Sequence, residues 1–419
     1  MSAHESKPAA SLLSERRVAF ALLLGAVMCL GMGQTVTFAV LPPIGRELGL
    51  SERQVGLIFS ASALMWVLFS PYWGRLSDRW GRKPVILIGM LGYIVSTTSF
   101  ITAINFGLAG GAAIMTVYAL MVVTRSIYGL IGPGIRVASQ AYIVDRTTLA
   151  DRTVAIAGMS AAFGLGNVLG PAIGASLSVF GLLAPLWGIV GLVVCTGIAI
   201  AWLLPENSTP GKTAVQKRLP MTDPRIRPLV MFGFAVSFAV ATPMQTSAFY
   251  FIDRLGFNAE NAAQFVGVGL SASALAALFS QLVLVQRFRL PPSFMMIAGA
   301  AIIAVAQIAM ALSSSFAPMT FALMLNGLGA GMAIPGYSAA ASLAVSGNEQ
   351  GAIAGITGAV TAAGFSIVPV INLSLYQWSP QMPYVLDSIL MVAALAFAWR
   401  TPALRNAINP SDEDTITDV

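Results

Sequence analysis

Long apolar runs alternate with short polar segments along almost the whole chain. Each run holds about 18 to 26 residues, and a helix of that length, rising ~1.5 Å per residue, crosses a hydrocarbon core of ~30 Å. A segment that spans lipid must satisfy its own backbone hydrogen bonds, so each run is predicted to be a helix. The pattern predicts twelve membrane helices, at residues 18–41, 54–73, 84–105, 118–143, 154–178, 183–204, 228–252, 263–286, 291–313, 318–341, 351–376 and 383–400.

The composition agrees with this pattern. The chain has 419 residues, of which 57% are hydrophobic and 10% are charged, and its mean hydropathy is +0.79. A soluble domain is nearer half apolar and a quarter charged. We therefore predict an all-α, multi-pass membrane protein whose partner over most of its surface is the lipid bilayer. The first run is longer than a signal-peptide core and further runs follow it, so we expect it to be retained.

Few residues of the chain could carry out catalysis or bind a metal. The one histidine, His4, lies in the N-terminal tail, and the two cysteines, Cys29 and Cys195, lie far apart in apolar runs. Such cysteines usually act as small buried hydrophobic residues. We therefore expect no metal site and no cofactor. We also expect no enzymatic activity, since no nucleophile and base are set together.

Lysine and arginine are concentrated in alternate loops. If the N-terminus is cytoplasmic, nearly all of the loop cations fall on the cytoplasmic side, and only Arg46, Arg53 and Arg254 fall outside. The positive-inside rule then predicts that both termini are cytoplasmic. The expected location is a bacterial inner (cytoplasmic) membrane. The net charge of +6 is assigned to this loop bias, so nucleic acid is not an expected partner.

One long polar segment divides the chain into two parts. Residues 205–228 separate the sixth and seventh runs and are rich in proline, lysine and arginine, which is typical of a cytoplasmic linker. The predicted organisation is an N-terminal tail at 1–17, a six-helix half at 18–204, the linker, a second six-helix half at 229–400 and a C-terminal tail at 401–419. The last tail is acidic and is predicted to be cytoplasmic.

The segment GRLSDRWGRKP at 74–84 is densely charged and lies between the second and third runs. It resembles the signature loop of the major facilitator superfamily, approximately G-x-L-x-D-R-x-G-R-K-x. A second segment, GNVLGPAIGA at 166–175, resembles the antiporter motif of that family, with Ala175 in place of the last glycine. The fourth run contains RSIYGLIG, which is similar to the R-x-x-x-G pattern of the family through Arg125 and Gly129.

The segment AYIVDRTTLADR at 141–152 is similar to the loop after the fourth helix in tetracycline-type efflux proteins. Together these resemblances imply the major facilitator fold, with twelve transmembrane helices in two pseudo-symmetric six-helix halves. They also imply secondary active transport by alternating access. The antiporter motif favours export, with H+ as the coupling ion.

The resemblance assigns a gating role to the charged segment. It implies that Asp78, Arg82 and Asp145 form a network that closes the cytoplasmic side, with Gly74 at the start of the same segment. Partly buried charge-assisted hydrogen bonds are strong and can be made or broken as units move. The alternative is that the basic residues only anchor the topology, although anchoring does not require Asp78.

Small residues recur every four positions in the fifth run and therefore share one helix face. We interpret Gly166, Gly170 and Gly174, with Pro171 beside them, as an interface hinge where the two halves slide past each other. A proline inside the stripe favours a bend. Ordinary tight packing without motion is the alternative.

Two arginines, Arg125 and Arg136, lie inside the fourth run. A charge at mid-bilayer costs at least ~2.5–3.5 kcal/mol, so such residues are normally functional or paired. Eleven residues of helix bring them to nearly the same face. We predict that they bind an anionic group of the substrate. The alternatives are a structural role for Arg125 and snorkelling to the surface for Arg136.

Other polar residues within the runs are candidates for the transport pathway. Gln34, Gln245 and Asn326 are candidate substrate-binding residues, and each could equally join neighbouring helices. Since the first run lacks a carboxylate, Asp253, near the outer end of the seventh run, is the candidate proton carrier. Asp387, near the outer end of the twelfth run, is expected to be a solvated charge at a helix end.

These inferences favour a secondary active transporter that exports a small organic molecule or drug by proton coupling, with an anionic group on the substrate. The first alternative is an importer, symporter or exchanger of an organic anion. An alternative of another class is a membrane receptor or scaffold that does not transport. We expect a monomer with a small-molecule substrate.

Overall fold

A computed structural model describes most of the chain as helix. The described residues are 9–147, 149–205, 219–288, 290–346 and 349–401. The predicted N-terminal tail up to residue 8, most of the linker and the C-terminal tail beyond residue 401 lie outside them. The α-helices of the described residues are α1 Ala9–Glu47, α2 Glu52–Trp80, α3 Arg82–Leu108, α4 Ile114–Ile131, α5 Pro133–Asp145, α6 Leu149–Ser178, α7 Ala184–Leu203, α8 Arg227–Asp253, α9 Ala259–Phe279, α10 Gln286–Phe288, α11 Pro292–Leu312, α12 Phe316–Leu343, α13 Gln350–Tyr376 and α14 Met382–Arg400.

Within the described residues, twelve spans are long and apolar enough to cross a membrane, which confirms the predicted number. Two of the spans are interrupted. The fourth consists of α4 and α5, because Pro133 has no N–H to continue the helical ladder. In the eighth, a π-helical segment at Ser280–Val285 separates α9 from α10. Such segments are frequent at functional sites in helices.

The charged segment predicted as a loop is almost entirely helical. Helix α2 continues to Trp80 and α3 begins at Arg82, so Gly81 alone joins them. Gly81 has a φ angle of 93°, a backbone conformation that residues other than glycine rarely adopt. The prediction placed the helix ends where the apolar residues end. A helix can continue beyond the lipid, however, because its backbone is satisfied in water as well.

The described chain divides into two compact units, and their limits differ from those of the two predicted halves. Of the described residues, the first unit includes those up to 37, 61–173 and 180–205, and the second contains 38–60, 174–179 and those from 219 onward. The C-terminal end of α1 and the N-terminal end of α2 therefore belong to the second unit. The order of the helices along the sequence cannot show which helix ends pack together.

Close packing of one glycine against a neighbouring helix occurs in each unit. In the first unit, a Cβ added at Gly129 of α4 would collide with the backbone around Ser62 of α2. In the second unit, a Cβ at Gly327 of α12 would collide with the backbone around Ser273 of α9. These are the fourth and second spans of one predicted half and their counterparts, the tenth and eighth spans, in the other. Small residues let membrane helices approach closely.

Candidate functional site

Arg125 on α4 is the most deeply buried arginine of the candidate set. Only 4% of it is exposed. Its guanidinium lies 4.9 Å from the centroid of the Tyr128 ring and 5.6 Å from that of Phe100. Its Nε and Nη1 atoms are buried without a hydrogen-bond acceptor among the described residues. The site therefore holds a cation with free donors and an aromatic frame.

Arg136 on α5 lies in a different environment. Its side chain is exposed, and its guanidinium is 5.1 Å from the centroid of the Phe163 ring on α6. The interruption at Pro133 falls between the two arginines. Arg125 and Arg136 therefore share a span but not the same solvent-accessible surface, since Arg125 is 4% exposed and Arg136 is exposed.

The three uncharged candidates are distributed over both units. Gln34 on α1 is half-buried in the first unit. In the second unit, Gln245 is 1% exposed and its Nε2 donates to the Phe365 carbonyl at 3.1 Å, while its Oε1 has no described partner. Asn326 is 3% exposed and accepts from Gln307 at 3.5 Å. The contacts of Gln245 and Asn326 join neighbouring helices, which is the alternative given above.

The predicted charged network is present within the first unit. Arg82 Nε donates to Asp145 Oδ2 at 2.9 Å, and its Nη1 donates to Asp78 Oδ1 at 2.5 Å. Nη1 also donates to the Ser77 hydroxyl at 2.7 Å, which in turn donates to the Gly74 carbonyl at 2.9 Å. The network joins α2, α3 and α5. Its role as a gate stays a prediction.

Two glycines of the α6 stripe make close contacts with α1. A Cβ at Gly166 would collide with the carbonyl oxygen of Met28, and one at Gly170 would lie 2.8 Å from that of Met32. Both residues belong to α1 of the same half. These contacts lie within the first unit, and a role of the two positions in movement between the halves stays a prediction. Pro171 lies inside α6, and a hinge role for it and for Gly174 stays a prediction.

An ion-pair network joins the C-terminal ends of α1 and α8 to the N-terminal end of α2 in the second unit. Arg46 pairs with Glu52 and, at 2.5 Å, with Asp253 Oδ2. The Tyr376 hydroxyl donates to the same Asp253 oxygen at 3.0 Å. The candidate proton carrier Asp253 is therefore held by a cation and a phenol. Sequence reasoning missed this network, because its members come from separate parts of the chain.

The expectation that Asp387 is solvated is wrong. The residue is 0% exposed, and its Oδ1 accepts from Asn372 Nδ2 at 3.1 Å. The same amide nitrogen donates to the Thr242 hydroxyl at 2.5 Å. Asp387 Oδ2 has no described partner. The position of Asp387 near a helix end suggested solvent, but α14 turns this face toward α8 and α13.

No group of three or more histidine, cysteine or acidic side chains with metal-binding geometry occurs in the described part of the chain. The buried polar atoms without a described partner instead include Nε and Nη1 of Arg125 and Oδ2 of Asp387. Such residues in membrane spans are costly and mark substrate or ion pathways. The geometry is therefore that of a transport protein.

Comparison with known proteins identifies the family. The family model of the Major Facilitator Superfamily matches residues 23–294 and 263–417. The chain belongs to the Major Facilitator Superfamily. It is accordingly a multi-pass membrane transporter and not an enzyme.

The chain is similar along nearly its whole length to bacterial multidrug and tetracycline resistance proteins. It is 24% identical over 396 residues to multidrug resistance protein 2 of Bacillus subtilis, covering 91% of this chain and 95% of that protein. It is 26% identical over 412 residues to the class C tetracycline resistance protein of Escherichia coli, covering 92% and 96%. These relatives agree with the tetracycline-efflux resemblance of residues 141–152.

Solved structures confirm the fold. A bacterial homologue of the human lysosomal transporter Spinster, in an inward-facing and occupied conformation, matches with a TM-score of 0.71 at 16% identity, covering 96% of this chain and 98% of that one. A human organic anion transporter matches with a TM-score of 0.65 at 19% identity, covering 93% and 100%. At these identities the likeness concerns the fold alone.

Proposed function

We propose that this transporter is a proton-driven exporter that works by alternating access in a bacterial inner membrane, and that its substrate is a small organic molecule with an anionic group. The main support is Arg125, a buried guanidinium with two free donors and no carboxylate paired with it among the described residues. The full-length relatives, named for drug and tetracycline resistance, support export.

Arg125 is suited to an anion for a physical reason. Arginine stays charged at any accessible pH, so its charge must be compensated by carbonyls, water or a ligand. The planar guanidinium can bond a carboxylate through two parallel hydrogen bonds, which lysine cannot do. The rings of Tyr128 and Phe100 hold the guanidinium from its sides. An anionic group beside the guanidinium would accept hydrogen bonds from donors that the protein leaves free.

Binding to the purified protein tests this assignment. We expect fluorescein, which carries a carboxylate, to bind more tightly than the cation ethidium. Arg125→Lys should weaken fluorescein binding about 10- to 150-fold, since a hydrogen bond to a charged group contributes roughly 1.5–3 kcal/mol. Arg75→Lys is the matched control, because Arg75 lies exposed near the end of α2. Preference for ethidium, with Arg125→Lys unchanged, would refute the anionic substrate.

The direction of transport is tested separately. In inverted membrane vesicles, an exporter accumulates the bound probe when the lumen is acidified, and an uncoupler abolishes the accumulation. Accumulation only in right-side-out vesicles would favour the alternative, an importer or exchanger of an organic anion. That result would leave the role of Arg125 intact, because the guanidinium binds the same group in either direction.

A further inference from the structure

A second buried charge site lies in the other unit, around Asp387 on α14. Asp387, Asn372 on α13 and Thr242 on α8 are each 0% exposed. Asn372 Nδ2 donates to both of the other residues, at 3.1 Å to Asp387 Oδ1 and 2.5 Å to Thr242 Oγ1. The Thr242 hydroxyl donates to the Phe238 carbonyl at 3.2 Å. The three side chains thus link three helices.

Two oxygen atoms of this cluster have no described partner: Asp387 Oδ2 and Asn372 Oδ1. Both are hydrogen-bond acceptors when the carboxyl group is ionised. A protonated carboxyl group would supply the donor that the pair lacks. It would also remove an uncompensated negative charge from a membrane span, which is costly to bury.

The helices around α14 bring no counter-ion to Asp387. Within the described residues of α11 there is no charged or titratable side chain, and α13 contributes only Tyr376. Tyr384 on α14 contacts Tyr250 on α8 at 5.4 Å between ring centroids, and the Tyr384 hydroxyl lies 3.0 Å from that of Thr246. The remaining charged residues lie at helix ends: Arg227 and Asp253 on α8, the latter paired with Arg46, and Arg400 on α14.

The same geometry argues against a metal ion. The Asn372 amino group points its hydrogens at Asp387 Oδ1 and Thr242 Oγ1, so the space between these oxygens already holds a positively polarised donor. Hard cations such as Ca²⁺ take six to eight oxygen ligands, whereas this cluster has two oxygens free. A proton needs only one acceptor atom.

We infer that Asp387 is a proton-binding site of this transporter, in which Oδ2 takes up a proton from water in one conformation and returns it to water in another. The inference rests on the proposed proton-driven function and moves the coupling site from Asp253 to Asp387. Asp253 is held by Arg46 and Tyr376, whereas no cation among the described residues pairs with Asp387. Asn372 is a positioning residue, since it orients the carboxyl group.

Infrared spectroscopy of the purified protein tests the site without transport. We expect a carbonyl band of a protonated, buried carboxyl group that is lost in Asp387→Asn and retained in Asp253→Asn. Asn372→Leu should shift the band by removing its hydrogen bond, and this variant serves if Asp387→Asn does not fold. A band that Asp387→Asn leaves in place, or that Asp253→Asn removes, overturns the assignment.

Transport in inverted vesicles tests the carrier role, with fluorescein as the probe. Asp387→Asn should lose accumulation driven by a pH gradient but still exchange internal for external probe, because a neutral side chain mimics the protonated state. Gradient-driven accumulation by Asp387→Asn overturns the inference. Accumulation by the wild type driven by a Na⁺ gradient at equal pH overturns the proton-driven function instead, and the infrared band then still decides whether Asp387 holds a proton.

Discussion

The Arg82 network gives a prediction whose size follows from the exposure of its members. Arg82 and Asp145 side chains are 8% and 12% exposed, whereas Asp78 is 53% exposed. Removing one partner of a buried ion pair costs ~3–5 kcal/mol, because the other charge is left uncompensated. An exposed pair contributes only ~0.2–1 kcal/mol. We therefore expect Asp145→Asn to lower the free energy of unfolding by about 3 kcal/mol and Asp78→Asn by less than about 1 kcal/mol.

Unfolding of the purified protein in mixed micelles, followed by tryptophan fluorescence as the denaturing detergent is increased, measures both values. A double-mutant cycle with Arg82→Gln isolates each pair. The coupling energy of Arg82 with Asp145 should lie at the upper end of the usual ~0.5–3 kcal/mol, and that with Asp78 at the lower end. Equal losses for the two carboxylates, or a greater loss for Asp78, would refute this reasoning from burial.

The same variants separate a gate from a structural clamp. If the network closes the cytoplasmic side, Asp78→Asn should abolish most transport in vesicles although it barely changes the free energy of unfolding. Normal transport by Asp78→Asn would leave Arg82 and its neighbours as structural and topological residues. The comparison is informative because Asp78 combines a small expected effect on stability with a large expected effect on function.

Two further predictions concern the regions outside the spans. Arg225 pairs with Glu349, and this hydrogen bond, followed by the one from Ser346, lowers the pKa of Glu349 from 4.5 to about 2. The stabilisation is therefore complete above pH 4.5, shrinks as the pH falls toward 2, and is fully lost only below pH 2, where the folded state is protonated as well. The difference in melting temperature between wild type and Glu349→Gln should therefore decrease steadily from pH 4.5 to pH 2, and a difference that stays constant over this range contradicts the prediction. For the topology, cysteines introduced at Ser51 and Asn258 should react with an impermeant thiol reagent added to intact cells, whereas one at Ser208 should not, and labelling at Ser208 would disprove the orientation.

The sequence predicted the twelve spans well, because lipid leaves the backbone few choices and an apolar run of sufficient length has to be a helix. It predicted the partners of Arg82 through the family motif. The prediction of helix ends failed where the chain leaves the lipid. The segment around Gly81 is charged but helical, since charge marks the side of the membrane and not the end of a helix.

Contacts between segments that are distant in the sequence were the second feature that could not be predicted. The stripe at Gly166 and Gly170 predicted close approach correctly, but a periodic pattern cannot say which helix approaches. Asp387 was misplaced for the same reason, since a carboxylate six residues into the last span, as read from residue 382, can face either solvent or protein. Only the arrangement of α8, α13 and α14 decides between them.

The two orphan charges suggest why the chain keeps polar groups that weaken its fold. Each is buried in its own unit without a counter-ion among the described residues: Arg125 as a cation in the first and Asp387 as an acid in the second. Packing alone would favour apolar side chains at both positions, because replacing buried charges by hydrophobic residues often stabilises a protein. A ligand that binds and compensates such a charge in one conformation, and dissociates in another, shifts the equilibrium between the two conformations. An anion at Arg125 and a proton at Asp387 would each bias the cycle in this way, so that the cost of burial becomes the source of coupling.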